Sequence, residues 1–369
     1  MTALHLPPVD VAARTGRLRA RFAGAGIDAL LVTRLPNVRY LTGFTGSAAF
    51  LLVGPDELVF VSDGRYRDQA AEQLGAAGVD ARIEIRTAQA DQRTVLADAA
   101  RGVARLGLEA HGVTWAQQRA FAGEWFPDAE LVATEHLVEE LRRVKDDGEV
   151  ARIRTACAIA DEALAAVTPT FADGPTERDV ALALDLEMRR RGASGVSFDP
   201  IVASGPNGAK PHARPSERRI EPNELVVIDF GCIVDGYCSD MTRTVSVGDP
   251  GAEARRVYDV VLDSQRTGRA AVRAGADCAA VDKACRDVIA AAGWGDAFVH
   301  GTGHGVGLEI HEAPRVAATA RDTLASGYVV TVEPGVYLSG VGGVRIEDTV
   351  VVTDEGADAL TASPKELVL

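Results

Sequence analysis

Residues 224–247, ELVVIDFGCIVDGYCSDMTRTVSV, contain two β-rich runs on either side of the Asp-Gly pair at 235–236. An Asp-Gly pair between such runs is a strong signal for a two-residue hairpin turn. A turn at this pair places Asp229 opposite Thr242. Asp229 and Asp240 then become diagonal neighbours whose side chains point to the same face of the hairpin.

The two carboxylates of this hairpin indicate a cation site. Gly231 lies opposite Asp240 and is expected to leave room for a bound ion. The neighbouring apolar residues Val227, Ile228 and Phe230 indicate a buried strand, where an unpaired Asp is costly. The alternative is a half-exposed strand whose acids face water.

A second stretch, FVHGTGHGVGLEIHE at 298–312, contains His300, His304 and His311 among many glycines. The glycines are expected to let the backbone approach a ligand closely. Histidine is the usual nitrogen ligand of divalent metals, so three near the acids favour a metal site. A phosphate loop is the competing interpretation, but the stretch contains no Lys and no G-x-x-x-x-G-K-[ST]. Each histidine taken singly could instead belong to the core or the surface.

Two further β-branched runs each contain a glutamate: VVTVEPGVYL at 329–338 has Glu333, and VRIEDTVVV at 344–352 has Glu347. Alternation places Arg345 on the same face as Glu347, where a surface ion pair is the simplest alternative. Four carboxylates in buried-looking strands and a Gly-flanked His match the ligands of a two-metal site for Mn²⁺, Co²⁺ or Zn²⁺. Such a site generates a hydroxide at neutral pH, which implies hydrolysis.

The composition excludes several other classes of protein. The 369 residues have 47% hydrophobic residues and a net charge of −14, so there is no general electrostatic drive toward nucleic acid or anionic membranes. Apolar runs stay far below the ~18 residues of a membrane helix, and the N-terminal segment lacks a signal-peptide core. The five cysteines include no Cys-x-x-Cys pair and are typical of reduced thiols. We therefore expect a cytoplasmic protein that binds neither nucleic acid nor membrane.

The first part of the chain is predicted to be a layered α/β domain. Short apolar runs at 27–33, 50–53, 57–62, 81–85 and 105–110 alternate with helical patterns at 64–77, 91–104 and 114–123. No G-x-G-x-x-G follows a strand, which argues against a dinucleotide site.

The rest of the chain is predicted to be α+β. A helical stripe begins at Val150, and Thr176 with Asp179 predicts a capping box for a helix that ends with a C-cap at Gly192. Further helices are predicted at 252–273 and 279–292, and β-rich segments at 198–203, 224–247, 327–333 and 344–353. We place the domain boundary between 1–139 and 140–369.

Four motifs, DFGCIVDGYCSDMTRT, HGTGHGVGLEIHE, TVEPGVY and VRIEDTV, closely resemble those of the pita-bread metallopeptidases, which include Xaa-Pro aminopeptidases, prolidases and methionine aminopeptidases. SGPNGAKPHARP at 204–215 is similar to the loop that precedes them. NVRYLTGFTGSAAFLLV at 37–53 and VSDGRYRDQA at 61–70 resemble the N-terminal domain of Xaa-Pro aminopeptidases, which methionine aminopeptidases lack. The resemblance implies an α+β pita-bread domain preceded by a smaller α/β domain.

The resemblance also implies a metal site. Its five ligands would be Asp229, Asp240, His304, Glu333 and Glu347, which hold two divalent ions, with Mn²⁺ expected and Co²⁺ or Zn²⁺ as alternatives. Asp240 and Glu347 would bridge the ions. A bridging hydroxide would be the nucleophile, and Glu333 would pass its proton to the leaving proline nitrogen. All five ligands are present, unlike in the metal-free relatives, creatinase and the histone-chaperone versions of the fold.

Several catalytic roles follow from the same resemblance. His311 is expected to steady the oxyanion of the tetrahedral intermediate, and His212 to lie near the scissile amide. His300 is expected to line the substrate pocket. Arg345 is expected to position Glu347 or a water network.

The activity implied by the resemblance is that of an Xaa-Pro aminopeptidase, a cytoplasmic homodimer acting on proline-containing peptides. Tyr337 is implied to contact the proline. A prolidase, which cleaves Xaa-Pro dipeptides, is the alternative. A remote alternative is a pita-bread module that binds peptides without hydrolysing them.

Overall fold

The computed structural model describes residues 6–369, so residues 1–5 of the predicted N-terminal domain lie outside it. The described chain divides into two compact units. The front unit contains residues 8–142, and the back unit contains residues 143–369 together with residues 6 and 7. The boundary between 139 and 140 stays a prediction from the sequence.

The front unit is built on one six-stranded mixed sheet. Its strands are β1 (Ala29–Val32), β2 (Phe50–Val53), β3 (Leu58–Ser62), β4 (Arg82–Ile85), β5 (Arg105–Glu109) and β6 (Glu130–Thr134). Its α-helices are α1 (Arg14–Arg19), α2 (Phe22–Ala25), α3 (Leu35–Thr42), α4 (Arg67–Ala76), α5 (Gln89–Ala99), α6 (Trp115–Ala120) and α7 (Glu139–Arg142). The strand order is β4-β3-β2-β1-β5-β6. The five predicted strands and the α/β class are confirmed; β6 was missed.

The back unit has four long helices and several small sheets. The helices are α8 (Asp147–Val167), α9 (Glu177–Arg190), α10 (Ala252–Ala271) and α11 (Cys278–Ala291). The strands are β7 (Gly195–Val196), β8 (Ile201–Ser204), β9 (Leu225–Phe230), β10 (Cys232–Val234), β11 (Tyr237–Cys238), β12 (Met241–Ser246), β13 (Gly303–Gly305), β14 (Glu312–Val316), β15 (Val329–Val332), β16 (Gly335–Leu338), β17 (Gly342–Arg345), β18 (Asp348–Val352) and β19 (Ala357–Ala359). They form sheets in the orders β12-β9-β8, β11-β10-β7, β14-β13-β15-β18-β19 and β16-β17.

Each helix pair of the back unit covers a sheet with its apolar side. Ile159 and Leu184 of α8 and α9 belong to one buried cluster with Ile228 of β9. Val261 and Val281 of α10 and α11 belong to another, which includes residues of β15 and β18. The strands that carry the acidic residues or lie next to them are therefore covered by two apolar clusters. No helix among residues 6–369 is both long and apolar enough to cross a membrane.

The predicted start of α9 is confirmed in detail. The Thr176 hydroxyl accepts a hydrogen bond from the Asp179 amide, and the Asp179 side chain accepts one from the Thr176 amide, which closes the capping box. The helix ends slightly earlier than predicted. Arg191 is the C-cap, and Gly192, with φ of 108°, is the residue that follows it.

The hairpin of 224–247 has the predicted register, with Asp229 opposite Thr242. Its turn has positive φ at Asp235 (42°) and at Gly236 (77°), as a type I′ turn requires. The predicted role of Gly231 was wrong. A Cβ at this residue would lie 1.9 Å from the Ser239 carbonyl oxygen, so the glycine admits the opposite backbone and not an ion.

Candidate metal centre and active site

Three carboxylates converge at the junction of the back-unit sheets. Asp229 lies on β9, Asp240 precedes β12, and Glu347 lies between β17 and β18. Each offers an oxygen, and these oxygens lie within 4.8 Å of one another. The hairpin register brings the two aspartates together. Glu347 joins them because its amide donates a hydrogen bond to the Thr242 carbonyl on β12.

The protein leaves one oxygen of this cluster unpaired. Glu347 is 1% exposed, and its Oε2 accepts a hydrogen bond from Thr242 Oγ1 at 2.7 Å. Its buried Oε1 has no hydrogen-bond partner in the described chain. Burial, reinforced by the neighbouring acids, raises the pKa values of Glu347 and Asp240 well above the usual range. A buried acidic cluster with an unpaired oxygen fits a divalent cation, whose charge removes this cost.

A histidine and a fourth carboxylate complete the cluster. His304 Nε2 lies 3.6 Å from Asp240 Oδ2 and 3.4 Å from Glu333 Oε1. His304 Nδ1 lies 3.0 Å from the Gly305 carbonyl, which can only accept, so Nδ1 carries the proton and Nε2 has a free lone pair. Burial lowers the pKa of His304 to about 4, which keeps the ring neutral. This is the form of histidine that binds a metal.

The glycines around His304 have a different role from the predicted one. A Cβ at Gly303 would lie 2.0 Å from the carbonyl oxygen of Thr331 on β15. The glycine thus lets β13 approach the neighbouring strand and does not serve a ligand. Close packing of these strands is what brings His304 next to Glu333.

Glu333 follows β15 and is held by the same strands. Its amide donates to the Thr302 carbonyl at 2.7 Å, and its Oε1 accepts from Thr331 Oγ1 at 3.2 Å. Burial raises the pKa of Glu333 to about 8. The metal-free protein therefore holds a proton on this carboxyl group at neutral pH.

Arg345 contacts a carboxylate other than the predicted one. It is 3% exposed, and its Nη2 donates to Asp229 Oδ2 at 2.6 Å, so it is neither a surface residue nor a direct partner of Glu347. Arg345 and Glu347 are linked only through Thr242, whose Oγ1 accepts from the Arg345 Nε at 3.1 Å. Thr242 thus joins the arginine to one acid of the cluster, Glu347, while the arginine contacts Asp229 directly.

A chain of hydrogen bonds runs from Arg345 to His300. Arg345 Nη1 donates to the Tyr337 hydroxyl at 2.6 Å, and this hydroxyl lies 2.9 Å from His300 Nε2. His300 Nδ1 lies 2.8 Å from the Gly301 carbonyl and therefore carries the proton. Tyr337 was expected to contact the proline. It is not among the residues that line the cavity over the acidic cluster, and its hydroxyl contacts His300 instead.

An open cavity of about 860 Å³ lies over the acidic cluster. His212, His300 and His311 all line it. The His311 ring contacts the His304 ring edge to face, with centroids 4.4 Å apart. The apolar part of the wall is formed by Phe198, Pro200, Ile201, Ile310 and Ala317.

Sequence reasoning missed several residues of this site. Thr242 was placed opposite Asp229 by the register, but its link to Arg345 depends on a strand more than one hundred residues later. Arg214 and Arg315 line the cavity and were not selected, although Arg214 lies two residues after His212 in the quoted loop.

Both parts of the chain match known protein families. Residues 151–354 match the metallopeptidase family M24, and residues 14–144 match the creatinase/prolidase N-terminal domain. The chain belongs to metallopeptidase family M24. It is therefore a metal-dependent hydrolase with the pita-bread fold behind a creatinase-type domain, as the motifs predicted.

The similarity extends over nearly the whole chain. An uncharacterized peptidase of Bacillus subtilis, YqhT, is 41% identical over 96% of this chain and 99% of its own length. A solved structure named Xaa-Pro dipeptidase from Bacillus anthracis is 40% identical, with a TM-score of 0.92 over 96% of this chain and 99% of the other. One named X-Pro aminopeptidase from Thermotoga maritima is 34% identical, with a TM-score of 0.87 over 96% and 100%.

Proposed function

We propose that this protein hydrolyses the peptide bond between an N-terminal residue and a following proline. The observation that carries the proposal is the buried, uncompensated acidic cluster at the floor of an open cavity. Its ligands would be Asp229, Asp240, His304, Glu333 and Glu347, and they suit two divalent cations such as Mn²⁺, Co²⁺ or Zn²⁺. When bound, such cations polarise a carbonyl and make water acidic enough to react at neutral pH.

The protein's own groups supply the proton transfer. Thr331 donates to Glu333 Oε1, which leaves Oε2 to carry a proton. A proline nitrogen is a poor leaving group unless it is protonated as the carbon–nitrogen bond breaks. We assign this transfer to Glu333, because its carboxyl group lines the cavity beside His304.

The cavity histidines are placed to stabilise the transition state. The His311 ring lies beside His304 at the cavity wall, and partial desolvation together with Arg315 lowers its pKa, so the neutral ring can donate one N–H to a developing oxyanion. His212 reaches the cavity from the loop at 204–215 and is assigned to the scissile amide. Arg345 keeps Asp229 oriented and acts through it.

Two arginines of the cavity wall favour a short substrate whose proline has a free carboxylate. Arg214 and Arg315 are exposed in the cavity wall, and within residues 6–369 neither guanidinium group has a hydrogen bond or an ion pair. Unpaired guanidinium groups favour a substrate whose proline ends in a carboxylate, as in an Xaa-Pro dipeptide. The sequence favoured an aminopeptidase, and the cavity volume is compatible with longer peptides. We propose dipeptidase activity first, in line with the name of the Bacillus anthracis relative, and aminopeptidase activity second.

The test compares Ala-Pro with Ala-Pro-Ala as substrates for chelated protein to which Mn²⁺, Co²⁺ or Zn²⁺ is returned. We expect hydrolysis of Ala-Pro only with metal, and at least tenfold lower kcat/KM for Ala-Pro-Ala. Equal or faster cleavage of the tripeptide would establish the aminopeptidase. Glu333→Gln should bind the peptide without cleaving it, whereas a binding module would show no hydrolysis in either form.

A matched pair of variants tests the role of the arginines in the cavity wall. Arg315→Gln should raise KM for Ala-Pro while leaving KM for Ala-Pro-amide nearly unchanged, because the amide has no carboxylate. Arg321→Gln, an exposed arginine outside the cavity wall, is the control. Equal effects of Arg315→Gln on both substrates would contradict carboxylate recognition.

We also infer a cytoplasmic homodimer. All five cysteines are buried and free, which suits a reducing compartment. The dimer rests on the family resemblance alone, and light scattering at micromolar concentration tests it.

A further inference from the structure

His212 lies on a loop, residues 205–215, whose ends have an unexpected common anchor. The imidazole lines the cavity and is exposed, and within the described chain it makes no hydrogen bond. Its position therefore depends on the backbone of the loop.

The anchor is Glu177, the first residue of α9, whose side chain is completely buried. Its Oε1 accepts from the amide of Ser204 at 2.7 Å and from the Ser204 hydroxyl at 2.8 Å. Its Oε2 accepts from the amide of Ser216 at 3.0 Å and from the Ser216 hydroxyl at 2.6 Å. One carboxylate thus holds the residue before the loop and the residue after it.

The loop itself is tied to the same carboxylate and to the active site. Asn207 Nδ2 donates to both oxygens of Glu177 at 3.1 Å. In the middle of the loop, the Pro211 carbonyl next to His212 accepts from Arg345 Nη1 at 3.2 Å. The loop is therefore fixed at both ends by Glu177 and in the middle by the arginine that holds Asp229.

Only a carboxylate can satisfy this set of partners. The two serine backbone amides and the NH₂ group of Asn207 are donors only, so both oxygens of Glu177 must accept. The hydrogen bonds outweigh the effect of burial and lower the pKa of Glu177 below its usual value. A glutamine would direct an NH₂ group at one end of the loop and leave a buried amide unpaired.

We propose that Glu177 is a positioning residue for catalysis, which holds both ends of the 205–215 loop and so fixes His212 in the cavity. The catalytic part of this proposal rests on the proposed function, while the anchoring of the loop does not. Glu177 itself is not among the residues that line the cavity.

Two measurements on the full-length protein test the proposal. In Glu177→Gln, hydrogen–deuterium exchange in residues 205–215 should become at least tenfold faster, with exchange in the cores of α8 and α10 unchanged. The kcat/KM for Ala-Pro should fall about 10–100-fold, as expected for a misplaced catalytic group. In a His212→Ala background, Glu177→Gln should cost no more than about twofold, because the residue acts through His212.

The control is Glu217→Gln, which removes an exposed carboxylate that pairs with Arg178 beside the same helix end. It should change neither exchange nor kcat/KM. Ser216→Ala, which removes the hydroxyl that donates to Glu177 and accepts from the Arg218 amide and from Asn207, takes the place of Glu177→Gln if that variant does not fold.

Unchanged exchange in the loop, or losses that multiply in the double variant, would overturn the proposal. Absence of Xaa-Pro hydrolysis in the wild-type protein would instead contradict the proposed function, and the exchange measurement would still decide whether Glu177 anchors the loop.

Discussion

The site contains more acidic side chains than positively charged ones. Four carboxylates meet at the floor of the cavity, and Arg345 lies within hydrogen-bond distance of just one of them, Asp229. The neutral His304 adds no charge. Without metal, the remaining acids must keep protons. This deficit explains why the pKa values of Asp240, Glu333 and Glu347 are raised.

The first prediction concerns the stability of the metal-free protein. Its raised carboxyl pKa values mean that the folded state keeps protons that the unfolded chain loses above about pH 4.5, so these groups make stability fall as the pH rises. His300 and His304, with pKa values of about 4, and His311, whose pKa is also lowered, have the opposite effect, which fades as the pH rises above their ordinary value of 6.5. Between pH 6.5 and 8 the carboxyl groups outweigh these histidines. The free energy of unfolding, measured with denaturant, should decrease over this interval.

Saturating Mn²⁺ provides the comparison for that measurement. A bound cation replaces the protons, so the decrease should be reduced or reversed, and metal binding should release protons. A stability of the metal-free protein that stays constant or increases between pH 6.5 and 8 would contradict the charge deficit.

The second prediction concerns Tyr337, whose hydroxyl joins Arg345 to His300. Tyr337→Phe should lower the free energy of unfolding by about 1–3 kcal/mol, because the buried Arg345 and the half-buried His300 each lose a partner. Chemical denaturation measures it. Tyr66→Phe, which removes an exposed hydroxyl that contacts Ser47 in the front unit, should have little effect. Equal losses in both variants would contradict a stabilising role of the hydrogen bonds from Tyr337 to Arg345 and His300.

The sequence was informative about this site where a residue type limits the chemistry. Acids and a glycine-flanked histidine in apolar strands indicated a metal centre, and the structure brings those five side chains together. The partner of Arg345 was not predictable, because alternation along one strand says which face a side chain occupies and not which other strand lies above it. The anchor at Glu177 was not predictable for the same reason, since its three partners, Ser204, Asn207 and Ser216, lie in or next to a loop far along the chain.

At the scale of the elements, the hairpin of β9 to β12 determines the site, and its geometry depends on Gly231. A Cβ there would lie 1.9 Å from the Ser239 oxygen and 2.4 Å from Ser197 Oγ. The third prediction is that Gly231→Ala lowers the free energy of unfolding by about 1–3 kcal/mol, as overpacking does. Because Asp240 follows Ser239, the affinity for Mn²⁺ should fall as well. Calorimetry measures both.

Gly356→Ala is the matched control, since a Cβ at Gly356 meets no atom within 4 Å. Its stability and metal affinity should be those of the wild type. A Gly231→Ala variant that also behaves as wild type would show that the backbone of the hairpin can shift at no cost.

Local signals predicted the elements better than their assembly. The Asp-Gly turn fixed the register of the hairpin, and the capping box at Thr176 fixed the start of α9. The strand β6, Glu130–Thr134, was missed because its polar ends weaken the apolar pattern. The order of strands in the sheets depends on contacts between distant segments, and no local pattern encodes these.

At the scale of the whole molecule, all the proposed ligands belong to the back unit, residues 143–369. The fourth prediction is that Mn²⁺ slows hydrogen–deuterium exchange in peptides of this unit, above all in β9, β13 and β15, because ligands stabilise the state that binds them. Exchange in residues 8–142, which have a separate apolar core, should stay the same. Equal protection of both units would contradict the confinement of the site.

The central claim is that five side chains of the back unit hold two divalent cations and that the loaded site cleaves an Xaa-Pro bond. It is tested most directly by titrating chelated protein with Mn²⁺ while counting bound metal and measuring the rate of Ala-Pro hydrolysis in the same samples. We predict binding that saturates at about two ions per chain, with activity that rises as the sites fill. Full activity in the chelated protein, or metal saturation without hydrolysis of Ala-Pro or Ala-Pro-Ala, would contradict the account.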